Sequence, residues 1–194
     1  MPDTVDPIDE HADAIEAHHR FKPLQFNGAN WSFDHLGPFA FKAQIDENLV
    51  IDVVVLFSCH CFTHGRDKDS HRDIPAEELY ADGQKTRVLN RQRYELSRTF
   101  LPRLVAELSS RQIKVVGGNK PNYLTIESID QDGTKVSYTL FFEVLKDQRR
   151  KKRILLRVQS AYVLKSLTAA QKKAGKVNLT VLLRAVYQGR TIRA

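Results

Sequence analysis

KVSYTLFFEVLKDQRRKKRILLRVQSAYVL, running from Lys135 to Leu164, reads as two long β-strands joined by a basic turn. Successive side chains in a strand face opposite sides, so each run divides into two faces. One face collects Val136, Tyr138, Leu140, Phe142 and Val144, then Ile154, Leu156 and Val158. It needs a covering layer, and by the same parity Ser160 and Tyr162 belong to it. The other face carries Thr139, Phe141 and Glu143, then Leu155, Arg157 and Gln159, and is half polar. A strand-like run from Tyr123 to Ile129 precedes the pair, and Asp132–Gly133 suits the hairpin turn between them. The β-branched run from Val177 to Tyr187 predicts a further strand, with Leu179, Val181 and Leu183 on the apolar face and Leu182 and Arg184 on the polar one. The consecutive order predicts an antiparallel meander.

Upstream, Leu89, Leu96, Phe100, Leu101, Leu104, Val105 and Leu108 recur at helical spacing, which predicts a helix across the meander's apolar face, kinked or restarted at Pro102. LVIDVVVLFS, Leu49 to Ser58, is a nearly unbroken apolar run and predicts a strand buried on both faces. Phe26, Trp31, Phe33, Phe39 and Phe41 are spaced as in short strands before it, and Thr63 to Pro75 reads as an exposed polar loop. The fold class is therefore α+β: an antiparallel sheet meander packed on one or two helices, preceded by a β-rich N-terminal segment. Residues 1–20 read as a loosely docked acidic arm, in which Ile8 to His19 can form one polar helix. Residues 21–194 read as a single domain.

The 194 residues carry 30 Lys and Arg against 23 Asp and Glu, a net charge of +7 with an isoelectric point near 9.5. The charge is unevenly placed. Up to Gly83 there are 6 bases and 16 acids; from Gln84 onward there are 24 and 7. An asymmetry of this size speaks to partners rather than to fold. The basic half points to a polyanion, most simply nucleic acid, with RNA favoured over DNA, or to an acidic protein. The competing expectation is that the acidic half neutralises the basic half internally. No apolar run approaches the roughly 20 residues of a membrane span, and the acidic N-terminus lacks the pattern of a secretory signal. A cytoplasmic protein with no membrane partner is expected. Two cysteines two residues apart supply neither a disulfide scaffold nor a four-cysteine zinc module.

Three groups of residues carry chemistry. Glu143, Arg157 and Arg184, taken on one sheet face, suit metal-independent cleavage of RNA, in which a carboxylate takes the 2′-hydroxyl proton and arginines stabilise the phosphate. The same residues also suit an ordinary cross-strand ion pair. SCHCFTHG, Ser58 to Gly65, ends the buried strand, and strand alternation puts Cys59 and Cys61 opposite His60 and Phe62. His60 or His64 suits a general acid. Cys59, Cys61, His64 and His71 are a conceivable zinc set with unfavourable spacing, and otherwise the cysteines fill core and the histidines decorate a loop. No cofactor or metal is assigned. Finally Arg149, Arg150, Lys151, Lys152 and Arg153 at the hairpin tip, with Arg91 and Arg98 of the helix, suit phosphate-backbone contact.

FSCHCFT (57–63), NYLTI (122–126), YTLFFEVLK (138–146) and ILLRVQSAY (154–162) together resemble a group of bacterial and mobile-element proteins labelled stationary-phase growth adaptation proteins, from about Phe33 onward. The order of basic helix, YTLFFEV, basic turn and ILLRVQSAY is similar in layout to RelE and barnase-like ribonuclease toxins, over roughly Val88 to the C-terminus. The second resemblance implies phosphate binding by Arg157 and Arg184, with Glu143 or His60 in the acid-base role. The β-rich first half has no counterpart in those toxins, which are much shorter. The reading is an RNA-interacting protein with metal-independent endoribonuclease activity. Its alternative is a non-enzymatic nucleic-acid-binding or regulatory protein of a stress or stationary-phase response.

Overall fold

The computed structural model describes residues 5–6, 8–69, 71, 73–83, 85–116, 122–131, 134–190 and 192. In chain order the elements are β1 (Val5–Asp6), β2 (Leu24–Phe26), β3 (Ala29–Trp31), β4 (Phe39–Asp46), β5 (Leu49–Phe57), β6 (Thr63–Gly65), β7 (Leu79–Asp82), β8 (Lys85–Leu89), α1 (Arg91–Ala106), β9 (Ile113–Val116), β10 (Asn122–Gln131), β11 (Thr134–Lys146), β12 (Arg153–Leu164), α2 (Ala169–Lys173), β13 (Lys176–Val177) and α3 (Leu179–Tyr187), with short 3-10 turns between several of them.

The fold is α+β. Eight strands form one sheet in the order β1-β4-β5-β12-β11-β10-β9-β13. The expected meander is its β10–β11–β12 part, while the Asp132–Gly133 turn lies outside the described residues. The sheet is mixed, because β5 runs parallel to β12 where every other pairing is antiparallel. This join merges the β-rich N-terminal segment with the meander.

The join also explains why β5 is nearly all apolar. On one side Val53 and Val55 meet Leu101, Leu104 and Val105 of α1 and Leu182 and Leu183 of α3 in the main core. On the other, Val54 and Leu56 pack with Leu155, Ala40 and Ala14, flanked by Ile8 and Ile15. Burying a Val or Leu side chain contributes about 1.5–3 kcal/mol, so a strand covered on both faces has few positions for polar residues. The segment from Ile8 to His19 forms two 3-10 turns, Ile8–Ala14 and Ala17–His19, rather than one helix, and has specific anchors on the sheet.

The run from Val177 to Tyr187 corrects the expectation of a strand: Leu179–Tyr187 is a helix. The side chain of Asn178 accepts a hydrogen bond from Val181 N–H at 2.8 Å and caps it. Leu179, Leu182 and Leu183 are buried and Val186 is partly so, a one-sided helical pattern, whereas Val181 is 46% exposed. Tertiary burial of that face overrides the β-preference of its valines. Replacing Asn178 with Ala should lower stability by about 1 kcal/mol in chemical unfolding, with Asn178→Asp close to the parent, because the cap needs only a side-chain oxygen. Equal losses in both would count against the cap.

A second correction concerns β12. Phe141 pairs with Ser160 but Phe142 pairs with Val158, so Gln159 is an extra residue, a β-bulge. Beyond it the parity inverts. Ala161, not Tyr162, reaches the core, and Tyr162 stacks on Phe141 with ring centroids 5.3 Å apart. α1 is one helix with Pro102 inside it, and Leu89 belongs to β8. The N-terminal aromatics Phe26, Trp31, Phe33 and Phe41 belong to the main core, where Trp31 stacks on Tyr94 of α1 at 4.0 Å. The β2–β3 hairpin turns through Asn27 and Gly28, both at positive φ, as a tight two-residue turn requires.

Candidate functional site

On the polar face of the main sheet, Glu143 and Arg157 stand directly opposite each other in β11 and β12, and Arg157 Nη1 lies 3.6 Å from Glu143 Oε1. The Glu143 side chain is 16% exposed and that of Arg157 39%. Arg157 Nε is buried and makes no hydrogen bond among the described residues. The pair opens into a recess of about 140 Å3 whose other walls include Ser58, Gln159, His18 and His19. The two histidines come from the N-terminal segment, and sequence reasoning missed them because nothing local links residues 18 and 19 to strands more than a hundred residues away. Glu16 N–H donates to His19 Nδ1 at 3.1 Å, which leaves the ring proton on Nε2. Burial, then the neighbouring His18 and Arg157, lowers the His19 pKa to about 4, so its ring is neutral at pH 7. His18 is exposed, with Nδ1 3.4 Å from a Glu16 carboxylate oxygen.

The other expected members of that face are elsewhere. Arg184 sits on α3, where its Nε donates to the Ile45 carbonyl. His64 is not on an exposed loop: it lies in β6, which pairs with β8. Its Nε2 bonds Asp69 and its Nδ1 accepts from Asn90 Nδ2 at 3.2 Å, so both ring nitrogens are engaged. His60 is half-exposed, with Nε2 3.6 Å from Asp82 Oδ2. Burial, more than the adjacent Arg87 guanidinium, lowers its pKa.

Cys59–Cys61 is a 3-10 turn rather than strand, so alternation does not apply there. Ser58 Oγ accepts from His60 N–H, Thr63 Oγ1 donates to the Cys59 carbonyl, and Arg93 Nη1 donates to the His60 and Thr63 carbonyls. Burial pushes both thiols up to about 12, so neither is an activated nucleophile. The set Cys59, Cys61, His64 and His71 is not assembled, since Cys61 is enclosed, His64 is paired with Asp69 and His71 is exposed. Instead one donor atom each from Cys59, His60 and Asp82 lie within 4.8 Å of one another. Asp82 gave no signal in the sequence, because it is an ordinary turn-flanking aspartate until Gly83, at φ +57, closes the β7–β8 hairpin.

The basic residues divide. Arg153, expected at the exposed hairpin tip, has no exposed side-chain surface and is held by Asp13 and Asp147. Arg150 pairs with Asp13 at 3.0 Å, and Arg149 reaches the Asp13 carbonyl and Glu16. Arg91 pairs with Glu95, and the Arg98 guanidinium lies over the Tyr94 ring at 5.6 Å. Lys151 and Lys152 are exposed at the tip. Part of the acidic half therefore does neutralise the basic half. A cleft of about 640 Å3 lies between the start of α1 and the end of β12, lined among others by Lys68, Asn90, Arg93, Tyr162 and Lys165. There the Arg93 guanidinium stands 4.5 Å from the Tyr162 ring centroid, an arrangement reached only because the bulge at Gln159 turns Tyr162 off the core face.

No helix among the described residues is long and apolar enough to cross a membrane. The sequence model of the YjaZ family matches residues 23–187, a span that holds Cys59, His60, Asp82, Glu143 and Arg157 and begins after His18 and His19. No curated protein and no solved structure matches the chain.

Proposed function

The chain belongs to the YjaZ family, and from the constellation on its polar sheet face we propose that it is a cytoplasmic bacterial RNA-interacting protein that cleaves RNA without a metal ion. The supporting observation is the directly opposed Glu143–Arg157 pair in a recess shared with His18. In this chemistry the Glu143 carboxylate takes the proton of a 2′-hydroxyl. The freed oxygen attacks the adjacent phosphorus, the bond to the 5′-oxygen breaks, and that oxygen takes a proton from the His18 ring. The products are a 2′,3′-cyclic phosphate and a 5′-hydroxyl. Arg157, whose side chain is 39% exposed, holds the non-bridging oxygens as charge develops on them. His18 replaces His60 and His64 in the acid role, and Arg184 has none. The test is labelled RNA incubated with the full chain in EDTA: fragments ending in cyclic phosphate are expected, and intact RNA sinks the proposal.

A second reading, binding without cleavage, is favoured by the cleft that carries Lys68, Lys165 and the Tyr162 ring. Cations along a groove and an aromatic face suit a single strand, the first for phosphate and the second for a base. Affinity for RNA should then fall steeply with salt. Replacing Lys68 and Lys165 together with Gln should flatten the plot of log affinity against log salt by about 0.7 for each phosphate no longer neutralised. A slope near zero in the parent protein counts against nucleic acid as the partner.

A further inference from the structure

The geometry points to a divalent-metal site of the zinc class at Cys59, His60 and Asp82, separate from the Glu143–Arg157 recess and independent of the function proposed for it. Three donors of different type, a sulfur, an imidazole nitrogen and a carboxylate oxygen, lie within 4.8 Å of one another. Tetrahedral zinc at about 2.0–2.3 Å from its ligands holds neighbouring donor atoms roughly 3.3–3.8 Å apart. The His60 Nε2 to Asp82 Oδ2 edge, 3.6 Å, already has that length. The remaining edges need the sulfur to move by no more than about 1 Å, within reach of one side-chain rotation.

The surroundings suit such an ion. The turn that carries two of the donors is pinned through its backbone, by Ser58 Oγ on His60 N–H and by Arg93 on the His60 carbonyl. The third donor arrives on a separate hairpin, so the site ties β7 to the end of β5. Cys59 is buried, while His60 and Asp82 are 39% and 33% exposed, which leaves a solvent side for entry and for a fourth ligand such as water. On binding, the Cys59 thiol releases its proton to solvent, and one thiolate plus one carboxylate balance the 2+ charge with the imidazole neutral. A neutral assembly is what a partly buried position tolerates.

The probe is cobalt(II), added to the reduced, chelator-treated full chain. One equivalent should bind with a thiolate-to-cobalt charge-transfer band and visible bands of four-coordinate cobalt, and zinc(II) should displace it. Cys59→Ala should abolish the charge-transfer band. His60→Gln and Asp82→Asn, both at half-exposed positions, should each weaken binding at least about tenfold. His64→Gln should leave the spectrum as in the parent. The proposal is overturned if the folded parent, checked by circular dichroism, gives no saturable band. It is equally overturned if the band survives Cys59→Ala or if both His60→Gln and Asp82→Asn bind as the parent does.

Discussion

Replacing Arg153 with Met lowers the stability of the protein by about 3–5 kcal/mol in urea unfolding, the range for removing one partner of a buried ion pair. Arg153 is fully enclosed, and all its nitrogens are used: Nε donates to Asp147 Oδ2 at 2.6 Å, and the two Nη atoms to the two Asp13 carboxylate oxygens. Asp147 is 5% exposed, so the variant strands a carboxylate that water can barely reach, its remaining partner being the Arg149 N–H. Asp13→Asn should lose less, because Asp13 is 39% exposed and solvent screens its charge. The pH dependence separates the two effects. The guanidinium beside Asp13 holds its carboxyl far below the usual carboxylate range. A carboxyl depressed in the folded state contributes stability above its unfolded value, near 4, and that contribution is lost as pH falls toward the folded value. Acidification below about pH 4 should therefore destabilise the parent more than Asp13→Asn. An Arg153→Met variant within about 1 kcal/mol of the parent would show that the enclosed guanidinium is not an anchor.

The clamp changes what the charge division means. Read as a chain, −10 before Gly83 and +17 after it describe a basic surface with an acidic cover. In the fold, Asp13 spans 140 positions to reach Arg153, and Arg87, Arg93 and Arg103 are committed to Thr63, to main-chain carbonyls and to Glu127. Removing residues 1–20 thus exposes cations, but it also uncovers Val54, Leu56 and Leu155 and takes Asp13 from Arg153, leaving Asp147 as its acidic partner. Tighter binding of a polyanion and lower stability should appear together.

The parts of the fold legible in the chain are those where local pattern and burial agree. Period-two alternation from Val136 to Val144 and from Ile154 to Val158 identified the core face, because these strands are covered on that side by helices. Alternation failed at Gln159, since a bulge leaves no mark in residue type, and everything beyond it carried inverted parity. It failed again at Leu179–Tyr187, where valines and leucines satisfy both a period of two and a period near 3.6; the Asn178 cap was the signal that discriminated. At the candidate site, alternation put Glu143 and Arg157 on one face, but their direct opposition is set by the register, and His18, His19 and Asp82 arrive through tertiary packing that no spacing encodes.

If the sheet-face pair cleaves RNA as proposed, Glu143→Gln should reduce cleavage about 10²- to 10⁴-fold at pH 7, the loss expected when a general base is replaced by a group of the same shape that cannot accept the proton. The substitution keeps the packing of a side chain that is mostly enclosed, so unfolding should shift little and RNA affinity should keep its salt dependence. Arg157→Ala should also slow cleavage by at least about 10²-fold, through weaker stabilisation of charge on the phosphate. The same change takes away the partner of Glu143, so Arg157→Lys is the cleaner comparison: it keeps the charge and gives up the planar, multi-donor geometry. His18→Ala separates the acid from the base. If His18 protonates the leaving oxygen, substrates with a better leaving group in place of the 5′-oxygen should be cleaved nearly as fast by His18→Ala as by the parent, while Glu143→Gln remains slow on both. Were Glu143→Gln to cleave RNA within a factor of about three of the parent in EDTA, the sheet-face pair would be an ordinary cross-strand ion pair, worth a few tenths of a kcal/mol to stability and nothing to catalysis.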